Sequence, residues 1–234
     1  MQIQWALNNI KYCRRREKQY FLNNKGVVII YDLIKTIQDT ALYLSEIAGA
    51  IGDGDHGINM NKGFTLCKER LTDEQTNLST ALNILSETLL NEIGGAMGPL
   101  YGMFFLGMSN ACNNKKQVDS IVFKDMLETG IFELREIDIN KPKIGDKTMM
   151  DTLIPAVEAY KTAINNRKSF IEALEEMKIA AEKGKESTKE LVAKVGRASR
   201  LGERSKGFLD VGAVSSCLIL ESMADSIIQI ITNK

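Results

Sequence analysis

Apolar residues recur every three or four positions along most of this chain. From Val27 to Ile47 the series Ile30, Ile34, Ile37, Ala41 and Leu44 marks one face of a helix. Leu82, Leu85, Leu89 and Ile93 repeat that spacing within Leu78–Ile93. The same reading predicts helices over Ile58–Arg70, Leu100–Cys112, Ser120–Glu136, Lys147–Ile164, Lys168–Lys183, Thr188–Val195 and Val211–Ile231. About nine helical runs with short loops, three prolines in 234 residues and few strand-like alternations predict an all-α bundle. No Pro, Gly or Ser linker divides the chain and no fixed-period repeat is visible, so one domain is expected. Residues 1–25 break the pattern. Lys11, Arg14, Arg15, Arg16 and Lys18 cluster there near Trp5, Tyr12 and Tyr20. They predict a basic, poorly ordered N-terminal extension ahead of a domain at 26–234. A helix that contacts an acidic partner is the other reading.

Composition narrows the functional classes. Thirty basic and 30 acidic side chains balance, and aromatic residues make up 6%. Neither bulk charge nor a stacking surface supports direct nucleic-acid binding. Cys13, Cys67, Cys112 and Cys217 are scattered and there is one histidine, which disfavours a zinc site and fits reduced cytosolic thiols. No secretory signal and no apolar run long enough to cross a membrane stand out, so a cytoplasmic protein is expected.

The chemistry concentrates in four glycine-rich joints between helices. The first reads Gly52-Asp53-Gly54-Asp55-His56-Gly57. Two carboxylates so close repel each other, and a hard cation such as Mg²⁺ would relieve that repulsion. The glycines let a ligand approach the backbone, and a helix starting at Ile58 would offer N–H groups to an anion. An Asp-Gly turn that merely caps the helix explains the same residues. The second joint, Gly94-Gly95-Ala96-Met97-Gly98-Pro99, offers free N–H donors before a proline-initiated helix. In the third, Gly145 to Thr152, Asp146 or Thr148 suits a helix cap as well as a site. The fourth, Gly196 to Gly207 followed by Asp210-Val211-Gly212, sets Arg197, Arg200, Arg204 and Lys206 among glycines, as an anion-facing loop would. In an up-down bundle, alternate joints meet at one end. No P-loop or Gly-x-Gly-x-x-Gly motif is present.

In order and spacing these joints resemble the L subunit of dihydroxyacetone kinase, the DhaL family, from about Gly26 onward. The strings that carry the likeness are Ile51 to Gly57, Gly94 to Gly102, Gly145 to Thr148, Gly196 to Ser199 and Leu201 to Ser205. The resemblance implies an eight-helix antiparallel up-down barrel with a nucleotide and two Mg²⁺ ions at one open end. It implies ADP kept as a coenzyme and recharged to ATP by a multiphosphoryl carrier, the M subunit, in a phosphotransferase-system pathway. Dihydroxyacetone would be held by a separate K subunit, and other members use exchangeable ATP. A homodimer is compatible with this arrangement.

By the same resemblance Asp53 and Asp55 are metal ligands and, with His56, form the catalytic set. His56, Gly57, Ile58 and Asn59 fall in a phosphate-contacting stretch, and Gly95, Ala96 and Met97 in a second one. Met149, Arg197, Asp210, Val211 and Gly212 match positions around the base, ribose or phosphates. Two positions depart from the family pattern. Ala48 stands where a third metal-ligating aspartate is usual, and Met97 where many relatives have serine. Phosphoryl transfer works by positioning and charge neutralisation, so a missing carboxylate weakens one metal or changes the bridging. A degenerate, non-catalytic nucleotide- or partner-binding regulator is therefore the alternative reading.

Overall fold

The computed structural model describes residues 19–71 and 76–233. Among them are eight α-helices: α1 (Val27–Ile51), α2 (Asp55–Arg70), α3 (Leu78–Glu92), α4 (Met97–Cys112), α5 (Ser120–Ile137), α6 (Met150–Asn165), α7 (Phe170–Ser187) and α8 (Val211–Thr232). Each packs against the next in sequence and α8 also packs against α1, which closes the ring. One continuous core fills it, from Ile30, Leu33 and Ile37 of α1 through Phe104 and Phe105 of α4 to Leu220 and Met223 of α8. The helical spacing read from the sequence is the spacing of these buried positions. Each buried Leu, Ile or Phe contributes about 1.5–3 kcal/mol by leaving water.

The ninth expected helix, Thr188–Val195, is not formed. Only Thr188–Glu190 makes a 3₁₀ turn, and Leu191 is extended at φ −90° and ψ 148°. Neighbouring loops claim the backbone groups that a helix would need. Lys147 Nζ donates to the Thr188 carbonyl (2.5 Å), and Gly207 N donates to the Lys189 carbonyl (2.7 Å). Ala193 N donates to Ser205 Oγ (2.9 Å).

A two-stranded antiparallel sheet was not expected. β1 (Tyr20–Leu22) pairs with β2 (Gln117–Asp119) and sets Phe21 opposite Val118, both fully buried. Three residues are too few to show an alternation. Residues 19–25, placed by sequence in the extension, thus pack with the domain, and Gln19 Oε1 accepts from Phe170 N at 2.6 Å. The basic cluster from Lys11 to Lys18 lies outside the described residues, as does Cys13. Cys67, Cys112 and Cys217 are free and buried. α8 has the length and hydropathy to cross a membrane, yet Val214, Ile219, Leu220, Met223 and Ile227 are buried in the core.

The two ends of the ring differ in how its helices begin. At one end Asn77 Oδ1 caps α3 through Thr80 N, Asp119 Oδ1 caps α5, and Ser169 with Glu172 forms a capping box on α7. At the other end α2 begins at Gly54 and α4 at Ala96, neither with a side-chain cap. Their first-turn N–H groups are left for something else.

Candidate functional site

The end at which α2 and α4 begin opens into a cleft of about 490 Å³, and residues from all four glycine joints line it. Asp53, Asp55, His56, Asn59, Gly95, Ala96, Met97, Met149, Arg197, Asp210, Val211 and Gly212 are all on its walls. Gly57 and Ile58 are not. Gly57 is buried between α1 and α2, and the Ile58 side chain is directed to solvent with 63% exposure.

Gly54 takes a left-handed φ of 77°, which turns the chain from α1 into α2 with only one residue between the carboxylates. Asp53 Oδ1 accepts from Asp55 N at 3.4 Å, too long to count as a firm helix cap. Asp53 and Asp55 are exposed to the cleft. The Arg197 guanidinium, across the cleft, is ion-paired with Asp53. Arg200, Arg204 and Lys206 do not reach the lining, so the anion-facing loop narrows to a single arginine. Gly95, at φ 73°, exposes the backbone before α4 with nothing within 4 Å of where a Cβ would lie.

Four polar residues in or behind the walls, Tyr101, Lys147, Asp151 and Ser215, were given no site role by the sequence. His56 Nε2 lies 2.9 Å from Ser215 Oγ, which lies 2.6 Å from the Tyr101 hydroxyl. Burial pushes the His56 imidazole down to about 4, so it is neutral at physiological pH. Lys147 is buried, at a positive φ of 62°, and its ammonium donates to the Thr188 and Phe208 carbonyls at 2.5 Å. It ties the third joint to the fourth. Asp151 folds back so that its carboxylate accepts from Gly145 N (2.5 Å) and Thr148 N (2.7 Å). Thr148 Oγ1 accepts from Met150 N in the first turn of α6, whereas Asp146 accepts from Lys143 N and Lys194 Nζ and caps no helix. Lys147 stood in a noted string. Ser215, one hydroxyl in an apolar helix, gave no signal.

Asp210 caps α8 by accepting from Ala213 N at 2.8 Å. Burial, reinforced by the Asp151 charge, raises its carboxyl to about 6 against the usual 3.8. An acid whose folded value is raised binds its proton more tightly when folded, so its ionised form costs stability. That cost grows as pH rises from about 4 through 6 and is full above 6. Asp210→Asn keeps a cap oxygen and removes the charge. It is expected to raise stability by about 2 kcal/mol at pH 7.5 and to have little effect at pH 4, read by urea unfolding at both values.

The cleft fits a divalent cation in part. Two exposed carboxylates converge there, and among the described residues Arg197 is the cation paired with Asp53. Ala48, 5% exposed, lies in the lining and supplies no oxygen. The described group of three close ligand-type side chains, Glu182, Cys217 and Glu221, lies elsewhere on α7 and α8, where Lys185 already pairs with Glu182 at 2.6 Å. A cation between Asp53 and Asp55 must therefore complete its shell with water or a ligand's oxygens.

Known proteins share this sequence and ring. Residues 50–225 match the family profile described as the DAK2 domain. The ADP-binding subunit DhaL of PEP-dependent dihydroxyacetone kinase 2 from Listeria innocua is 35% identical, over 85% of this chain and 92% of that subunit. The ADP-binding subunit DhaL of the PEP-dependent dihydroxyacetone kinase from Escherichia coli is 36% identical, over 78% of this chain and 86% of that subunit. Among solved structures, the dihydroxyacetone kinase from C. freundii in complex with AMP-PNP and Mg²⁺ superposes with a TM-score of 0.62 at 23% identity. That match covers 91% of this chain and 35% of the kinase, so it speaks for the fold. With residues 50–225 of the chain matched by the profile and a DhaL subunit aligned over 92% of its length, the chain belongs to the DAK2 domain family.

Proposed function

We propose that this chain is the cytoplasmic nucleotide-binding subunit of a dihydroxyacetone kinase, acting with a K subunit that holds the ketose. The observation that carries this reading is the meeting, in one cleft, of paired carboxylates and two uncapped helix starts. An anion with its counter-cation fits that combination, and a nucleotide diphosphate with Mg²⁺ is both. Asp53 and Asp55 would hold Mg²⁺, two ions by the resemblance. The free N–H groups at Gly95, Ala96 and Met97 would take phosphate oxygens, and Met149, Val211 and Gly212 would border the base and ribose. The cations, when bound, would neutralise charge on the phosphates being transferred. Arg197 can move from Asp53 to a phosphate, keeping its charge inside the cleft. The phosphate source proposed is a phosphotransferase-system carrier, the M subunit, with ADP retained as coenzyme. Calorimetric titration with ADP, with and without Mg²⁺, tests the reading. Tight Mg²⁺-dependent binding is expected, and absence of binding under both conditions would overturn it.

The alternative, a regulator that kept the ring and lost the chemistry, rests on Ala48 and Met97. Ala48 faces the cleft, so Ala48→Asp would bring a third carboxylate toward the pair. It is expected to tighten Mg²⁺-dependent ADP binding by about tenfold, equivalent to about 1.4 kcal/mol. Transfer to dihydroxyacetone in the presence of a K subunit should rise with it. No gain would mean that another oxygen already fills that place.

A further inference from the structure

We infer that Ser215, its hydrogen held by backbone carbonyls of α8, locks His56 in the Nε2–H tautomer, so that His56 offers the cleft a hydrogen-bond acceptor and binds a donor there. The donor class we assign is water carried by a divalent cation. The inference deepens the nucleotide–metal reading and rests on it for the identity of the donor, though not for the tautomer.

The argument is a count of protons. Ser215 Oγ has four polar neighbours: His56 Nε2 at 2.9 Å, the Tyr101 hydroxyl at 2.6 Å, the Val211 carbonyl at 2.9 Å and the Gly212 carbonyl at 3.3 Å, the last also 3.3 Å from the Tyr101 hydroxyl. The three shorter contacts each need a hydrogen between their two atoms. Both carbonyls can only accept, so the single Ser215 hydrogen is directed to them, chiefly to the nearer Val211. The Tyr101 contact must then use the Tyr101 hydrogen, which fits, because a phenol is a better donor than an aliphatic hydroxyl. Ser215 Oγ now has no hydrogen left for His56, and the third proton has to come from Nε2. Its two lone pairs accept one bond from Tyr101 and one from His56, and every short contact is satisfied. The other assignments place a bare oxygen against a bare oxygen or nitrogen inside the protein, which costs more than any bond they form.

Nδ1 then keeps its lone pair and has no partner among the described residues, while the ring lines the cleft. A lone pair repels an ionised phosphate oxygen, which is also acceptor-only, so the phosphate contact that the resemblance implies for His56 falls to its backbone N–H in the uncapped first turn of α2. The lone pair suits instead a group that brings hydrogen, and Mg²⁺ retains several water molecules in its shell. His56 adjoins Asp55 in sequence, next to the carboxylates proposed to hold the cation. Ser215 is absent from the cleft lining and acts by positioning His56.

Because His56 is the chain's one histidine, ¹⁵N-histidine labelling gives a single imidazole whose two nitrogens report the tautomer directly. In the unmodified protein without nucleotide, at neutral pH, a proton on Nε2 and a bare Nδ1 are expected. A proton on Nδ1, or an even mixture, would overturn the inference whether or not nucleotide binds. Tyr101→Phe removes one contact and one hydrogen together, so the tautomer should persist. Ser215→Ala leaves Nε2 without its acceptor, and the ring should relax to a mixture while circular dichroism confirms an intact fold. Ser215→Ala is also expected to weaken Mg-ADP about fivefold and to leave metal-free ADP binding unchanged. Equal weakening of both would overturn the assignment of a metal-bound donor.

Discussion

Gly57→Ala is expected to cost about 3 kcal/mol of stability, although alanine is ordinarily the better helix former. A Cβ at Gly57 would lie 2.0 Å from the Ala41 carbonyl oxygen, 2.5 Å from Ser45 Oγ and 2.7 Å from Ser45 N. Two of these are backbone atoms of α1, so no rotamer change relieves the clash and the two helices must part. Urea unfolding measures the loss. Gly94→Ala provides the contrast, since nothing lies within 4 Å of its Cβ and the backbone there is not left-handed. It should leave the midpoint nearly unchanged. A Gly57→Ala protein as stable as the parent would return Gly57 to the ligand-approach role that the sequence suggested.

That pair of glycines shows how far the sequence could be read. The spacing of Ile30, Ile34 and Ile37 is a physical constraint on any helix that buries one face, so the ring's helices were legible. The convergence of four joints at one end, with the paired carboxylates among them, was legible as well. What a glycine is for was not legible, because Gly54 (bending the chain), Gly57 (admitting a neighbouring helix) and Gly95 (baring backbone) look alike in one dimension. Thr188–Val195 failed for a related reason. Its local pattern suits a helix, but Lys147, Ser205 and Gly207 compete for its backbone groups from distant positions. Ser215 was invisible because a lone hydroxyl in an apolar helix gains meaning only once Tyr101 and His56 are beside it. The arginine-rich loop misled in the opposite direction, since composition counts charges and only the fold decides that Arg197 alone faces the cleft.

Asp53→Asn separates the metal from the nucleotide. The asparagine keeps the shape and loses the charge that a cation needs. A unit charge about 4 Å away at an effective dielectric of 20 is worth about 4 kcal/mol, and solvent at this partly exposed carboxylate reduces that to about 3. Mg²⁺-dependent ADP binding should therefore weaken about a hundredfold. Arg197, however, loses the partner that holds it across the cleft. An exposed pair of that kind is worth at most about 1 kcal/mol, so the released guanidinium should make metal-free ADP binding as much as about fivefold tighter. The two affinities are expected to move in opposite directions in one variant, with helical content unchanged by circular dichroism. A misfolded protein would lose both, and a carboxylate that only turns the chain would leave both alone. Calorimetry on the variant with and without Mg²⁺ distinguishes the three outcomes. If both affinities fell while circular dichroism showed the helices intact, Arg197 would have to reach the phosphates by way of Asp53, and the carboxylate would be a positioning group rather than a ligand.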